Sequence, residues 1–492
     1  MKYSEINKIL DKYTMLSKMN LCMYLSQQTI NINGFDGVWE FSNKSTPWEI
    51  EVLALFSLYS EDGSETIDLD SVIDMINAIR ENFDNQLIAQ NDGDIAEKFM
   101  ILASALQFPV QENNYIKLYR CKFFYDYKSS EIDMKKLFLE MFGVSYDEVM
   151  KFYIRFNYLL TLPREINTSV LKFSLINSNR RIIKHFAKSI NDYKDIQNQF
   201  VSSIYDYQKC FRVFYQFPFI LDTPLMYTPV PHLHINTFTN SLLFRLTNND
   251  NNVRRKFGKN VLEGYLLHMF EEYTHIDDFC PEIEYKKNKS KAKSPDLLAY
   301  KKELCLLIDS KSFVPHLKLR DVTKEEIDYS INIVSEGLVK LYKQVAIDSR
   351  EFYNPFNRQF CKKSTFGILL LLEDSFIIRE KIYQKAADEL GLKVNTEEYD
   401  YLRSNIVIMS LYNLEDIIYH NIDIFELMIK RREESFRWNN FPIVVDDTVR
   451  EIMDSRISEI ESTIKRDLNC FIDEMVGFGF IPRTEYRSKE GD

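Results

Sequence analysis

Twenty residues, Ser294 to Phe313 (SPDLLAYKKELCLLIDSKSF), constrain this chain more than any other stretch: an apolar run, a charged turn at Lys301-Lys302-Glu303, and a second apolar run. Two strand-length runs separated by so short a polar break form a β-hairpin. With Lys302 and Glu303 as a two-residue loop, the register sets Asp296 opposite Asp309, so that the two carboxylates stand side by side. Alternation along the second strand puts Asp309 and Lys311 on one face and points Ser310 away. Two acids and an ammonium thus gather at the end of strands whose other members, Leu297, Leu298, Leu306, Leu307 and Ile308, suit burial. Paired carboxylates repel and buried charge demands compensation, which a divalent cation supplies. Hard oxygen ligands with open water positions suit Mg²⁺, with Mn²⁺ able to substitute. Such an ion lowers the pKa of a bound water and neutralises charge on a phosphoryl oxygen. Lys311 would orient or deprotonate that water, or stabilise the pentavalent phosphorus; the chemistry implied is phosphodiester hydrolysis.

The rest of the chain frames this hairpin. Only 13 Gly and 13 Pro occur among 492 residues, so the backbone is regular and helix-rich, and 45% hydrophobic residues suffice for more than one core. Helical spacing governs the first half, at Trp48–Tyr59, Ser71–Phe83, Asp94–Leu106, Asp133–Phe142 and Tyr146–Leu160. Around Phe217 the texture changes to a proline-bearing extended connector. A mixed α/β pattern then runs from Val253 to about Tyr419, with buried strands expected at Phe366–Leu372 and Ile406–Leu411. Terminal helices are expected at Asp423–Phe436, Asp446–Ile464 and Arg466–Val476. The expected class is α+β overall. An all-helical domain occupies 1–248, with the connector at 217–248; an α/β unit occupies 249–420, and a helical segment 421–492. No run is long and apolar enough to span a bilayer, and the start lacks a signal-peptide core, so a cytoplasmic protein without membrane partners is expected. Seven scattered cysteines without a C-x-x-C pair fit reduced thiols.

At Pro295-Asp296 and Asp309-Ser310-Lys311 the sequence resembles the PD-(D/E)XK nuclease superfamily. The context agrees: a helix over Val253–Tyr273 carrying Glu263 after Phe257-Gly258, a first strand over Phe279–Tyr285, the hairpin, a helix over Glu325–Ile347, and the strand Phe366–Leu372. The resemblance covers about Val253 to Leu372, reaching Leu411 at its widest, leaves the first half untouched, and implies a restriction-endonuclease-like core in α-β-β-β-α-β order. It implies that Asp296 and Asp309 ligate metal, that Lys311 is the catalytic lysine, and that Glu263 is an accessory ligand, with Glu271 and Glu272 on the same helix as alternatives. Some relatives use a Gln or Tyr on the helix after the motif, and Tyr342 and Gln344 occupy that region. It further implies an endonuclease, DNA favoured over RNA, in restriction or anti-phage defence, and extends to a homodimer. No phosphate-binding G-x-x-x-x-G-K-[ST] loop is present, so any ATPase would be a separate subunit.

Charge points to the same place. The chain carries a net charge of −11, yet Lys286 to Lys302 holds seven lysines against one acid, Asp296. Lys286, Lys287, Lys289, Lys291 and Lys293, extended by Arg254 and Arg255, are candidates for gripping backbone phosphates. A solvated polar connector is the plain alternative. Two further readings remain: a non-catalytic binding module on a nuclease-like fold, and a HEPN-like ribonuclease suggested by the R-x4-H spacing of Arg180 and His185. His232 and His234 lack acidic or thiol neighbours in sequence, which favours structural roles.

Overall fold

Helices dominate the first part of the chain for local reasons. Pro47–Tyr59 begins on Thr46, whose backbone N–H donates to Glu49 Oε2 at 2.7 Å, and proline opens its first turn. The structure is a computed structural model that describes residues 3–28, 45–89, 95–161, 175–200, 213–222, 225–247, 250–287, 290–314, 323–347, 356, 358, 360–433 and 452–477. The chain forms two units: Met1–Asp126, Met134–Asn249 and Glu459–Asp492 in one, Tyr127–Asp133 and Asp250–Ser458 in the other. The segment 421–492 is thus divided between them at Ser458 and Glu459. Its expected helices at Asp446–Ile464 and Arg466–Val476 are, where described, one helix, Ser455–Gly477.

The first unit is not all-helical. Strands β1 (Ala187–Ser189), β2 (Phe219–Asp222) and β3 (Leu225–Tyr227) form a small mixed sheet in that order, β1 parallel to β2 and β2 antiparallel to β3. Pro218 ends the helical turn before it, and the backbone groups of β2 find partners in β1 on one side and β3 on the other. Helices Pro231–Leu233, His234–Thr237 and Asn240–Thr247 follow, so the expected connector is folded structure for most of its length.

The second unit is mixed α/β. Its sheet has five strands in the order β10-β9-β8-β7-β4, where β4 is Asp278–Pro281, β7 Leu297–Lys301, β8 Leu304–Lys311, β9 Thr365–Leu371 and β10 Ile406–Ser410. β4, β7 and β8 run as an antiparallel meander, and β9 and β10 join parallel to β8. Every residue of β9 and β10 is buried, as continuous apolar runs require when both faces are covered. The expected first strand breaks in two: β4 ends at Pro281, and Glu284–Lys287 (β5) pairs with Ser290–Lys293 (β6) in a separate two-stranded sheet. Proline has no N–H to continue a ladder.

Candidate active site

The hairpin register is the one that a Lys302-Glu303 loop imposes, with Leu297 opposite Ile308 and Lys301 opposite Leu304. Lys302 takes a positive φ of 54°, held by its own N–H to Asp277 Oδ2 at 2.7 Å and by Arg358 donating to its carbonyl at 3.2 Å. Leu297, Leu298, Leu306, Leu307 and Ile308 are all inside. The paired strands therefore end on the polar residues, and the apolar run anchors them.

Asp296 lies just before β7, outside the ladder, and this changes the expected arrangement. Its Oδ2 accepts both the N–H and the hydroxyl of Ser310, each at 2.7 Å, so Ser310 serves the site instead of pointing away. Asp309, with a side chain only 1% exposed, is held by Lys311 at Oδ2 and by Lys340 at Oδ1, 2.7 Å away. Burial first, and then the charge of Asp309, raise the Asp296 carboxyl above its ordinary value, with Ser310 and Lys311 working the other way. Burial opposes the charge on Lys340, yet Asp309 beside it holds the amine above an ordinary lysine.

Glu263 comes to this group from the preceding helix. That helix runs through Asn251–Lys256, a π-helical turn at Phe257–Leu262, and Glu263–Phe270. Such turns shift the side-chain phase of a helix and recur at functional sites. Gly258 permits the close pass: a Cβ there would lie 3.1 Å from Ser312 Oγ at the end of β8. Burial, and then the charge of Asp296, push Glu263 up to about 7 although Lys259 sits 2.9 Å from it. Glu271 pairs with His268 at 2.8 Å, and Glu272 lies beside Arg456 and Ser455, so Glu263 is the acid of this helix that faces Asp296.

A second tier of charge borders the group. Lys259 and Lys293 both reach Glu282 Oε2 at 2.7 Å, and the Lys293 carbonyl accepts from Gln344 Nε2 at 3.1 Å. Lys293 therefore lies on the site's edge, whereas Lys291 is 83% exposed and 3.4 Å from Glu284. Lys289 and the side chains of Lys286 and Lys287 lie outside the described residues. Arg254 donates to the Ser312 carbonyl at 3.2 Å, next to the strand end, while Arg255 turns back to Asn252. The stretch expected as a loop is thus a hairpin bordering the cluster.

Lys340 has no counterpart in the sequence-based candidate set. It stands in the last turn of Lys324–Tyr342, a helix capped by Thr323 accepting from Glu326 N–H. The available signal was Gly337, three residues earlier on the same helix face. A Cβ there would meet Leu369 Cδ1 at 3.0 Å and Lys311 Cε at 3.5 Å, so the missing side chain marks where the helix passes the site.

The donor set fits a hard divalent cation. Asp296 keeps Oδ1 without a hydrogen bond among the described residues, and Glu263 and Asp296 repel one another. Among the described residues no three His, Cys, Asp or Glu side chains are gathered closely enough to hold a metal by themselves. Mg²⁺ commonly takes only one or two carboxylates and completes its shell with water and phosphate.

Elsewhere, Arg180 donates to Asn177 Oδ1, while His185 packs edge-on against Phe142 with its Nε2 buried and, among the described residues, without a hydrogen-bond partner. Burial, with Lys184 and Arg245 nearby, holds that imidazole below its ordinary value. His232 is bonded to Ser26 and Glu51, and His234 to Thr228 and Asn157. Among the described residues no helix is long and apolar enough to cross a membrane. No family model, curated protein or solved structure matches this chain.

Proposed function

We propose that the second unit is a Mg²⁺-dependent endonuclease of the PD-(D/E)XK type that hydrolyses phosphodiester bonds, with DNA as the favoured substrate. The observation that carries this reading is the gathering of Asp296 before β7 with Ser310, Asp309 and Lys311 at the end of β8, where Ser310 donates two hydrogen bonds to Asp296, Lys311 donates to Asp309, and Glu263 of the preceding helix faces Asp296. A divalent cation, often the largest local charge in such a site, would relieve the repulsion between these acids. Element order supports the same reading. The helical run, β4, β7, β8, the Lys324–Tyr342 helix and β9 follow the sequence the resemblance implies, with the β5-β6 hairpin inserted after the first strand.

In this reading Asp296 and Asp309 would hold the metal, with Glu263 as an accessory ligand, and the ion would supply an activated water and neutralise charge on a phosphoryl oxygen. Ser310 fixes the Asp296 carboxylate by two hydrogen bonds. Lys311, anchored on Asp309, presents its ammonium to the phosphoryl oxygen. Arg254, Lys291 and Lys293, with Lys286, Lys287 and Lys289, grip the backbone. Restriction or anti-phage defence is the setting the resemblance implies, with a homodimer and a separate ATPase subunit as the partners to seek.

Incubating the purified chain with supercoiled, linear and single-stranded DNA and with RNA, in Mg²⁺ or chelator, tests this directly. Cleavage should need Mg²⁺ and fall by at least about a hundredfold in Lys311→Ala. Metal-dependent cleavage that survives Lys311→Ala, or no cleavage of any substrate, defeats the assignment. One observation favours the non-catalytic module as a second reading: both oxygens of Asp309 already carry lysine partners. That reading requires that the chain bind no divalent metal.

A further inference from the structure

Two ammonium groups on one carboxylate are more than neutrality requires, and the two lysines of Asp309 are not equally fixed. Lys311 grows from β8 with a side chain 34% exposed, and its stem runs beside Gly337. Lys340 is 54% exposed and, among the described residues, its ammonium donates to Asp309 Oδ1 alone. It stands just before the helix passes into a π-helical turn at Lys343–Ile347, on a long and half-exposed stem, where water can receive its charge at little cost.

We propose that Lys340 is a displaceable counter-ion. It occupies the negative potential of Asp296, Asp309 and Glu263 in the ligand-free chain and leaves Asp309 Oδ1 when a divalent cation takes that oxygen. The physical reason is that two cations cannot share one carboxylate oxygen without strong repulsion, and the half-exposed one yields. Lys311, on the other oxygen and packed along Gly337, stays. The Lys340 ion pair therefore sets the metal concentration at which the site fills. Because Lys340 is outside the ligand set, its removal should strengthen metal binding, whereas removal of a ligand should abolish it. This inference rests on the nuclease reading.

Calorimetric titration of Mn²⁺ into the full chain at low ionic strength separates the two. Lys340→Gln should bind about threefold to fivefold more tightly than the parent, the equivalent of one exposed ion pair. Lys340→Arg should bind as the parent does, and Asp309→Asn should not bind. The gap between parent and Lys340→Gln should close as salt screens the pair. Equal or weaker binding by Lys340→Gln, with Asp309→Asn still inactive in binding, overturns the counter-ion role and leaves the metal site standing. Absence of binding in parent and both lysine variants overturns the metal site and the counter-ion together.

Discussion

In the first unit His232 lies inside with Ser26 Oγ 2.8 Å from Nδ1 and Glu51 Oε1 3.0 Å from Nε2, while His234 is met by Thr228 at 2.7 Å and Asn157 at 3.1 Å. In the second unit Asp296 is also buried and Glu263 half-buried, yet each faces another negative charge, and lysines only partly offset the repulsion. The first grouping is matched atom by atom, so it contributes to a unique packing and has no use for a ligand. The second retains an electrostatic conflict inside a well-packed sheet. Folding tolerates such conflict where a bound ion resolves it, which is why the second group and not the histidines reads as a site.

The largest effect that could break this contrast comes from His232→Ala. It removes an imidazole that both Ser26 and Glu51 bond and leaves a cavity in its place, and should cost about 3–4 kcal/mol in urea unfolding, with metal affinity unchanged. A loss below 1 kcal/mol would mean that the histidine network is not a matched structural core.

The pH response should then differ in sign between the two groups. Burial first, and His232 second, depress His234 from 6.5 to about 3. The stability this contributes is complete above pH 6.5 and is lost on acidification, at up to about 1.4 kcal/mol per unit. Glu263 is raised from 4.5 to about 7, so its contribution is complete below pH 4.5 and is lost as pH rises through 7. In chelator at pH 8, Glu263→Gln should therefore raise stability by about 2 kcal/mol, and His234→Asn should flatten the acid limb. Scanning calorimetry of both variants from pH 4 to 8 checks the pair; a Glu263→Gln protein less stable than its parent at pH 8 would remove the conflict from the second group.

The smallest effect sharpens the geometry. Alanine at Gly337 gains about 1 kcal/mol of helix propensity but overpacks Leu369 at a cost of about 1–3 kcal/mol. A net loss of stability is expected, measured by thermal melting. A stabilised Gly337→Ala would show that the helix does not pass the sheet so closely.

Much of the second unit was legible from the chain. The hairpin register followed from alternation plus a two-residue turn, and the buried strands at Thr365–Leu371 and Ile406–Ser410 from uninterrupted apolar runs. Strand limits were less so, because Phe279–Tyr285 reads as one run until Pro281 ends the ladder. The small sheet of the first unit escaped notice since β1 has only three residues and no pattern of its own. Lys340 escaped because its helix bears other charges, Lys324, Glu325, Glu326, Asp328 and Glu336 among them, and none is distinguished locally.

Short-range periodicity and turn chemistry act between residues near in sequence, so the order of elements, the hairpin and the pairing of acids with Lys311 could be read without coordinates. The side of Asp309 that Lys340 covers, the turn of Asp296 onto Ser310, and the approach of Glu263 depend on how helices settle across a sheet. That packing joins residues tens of positions apart, and only the folded chain decides it.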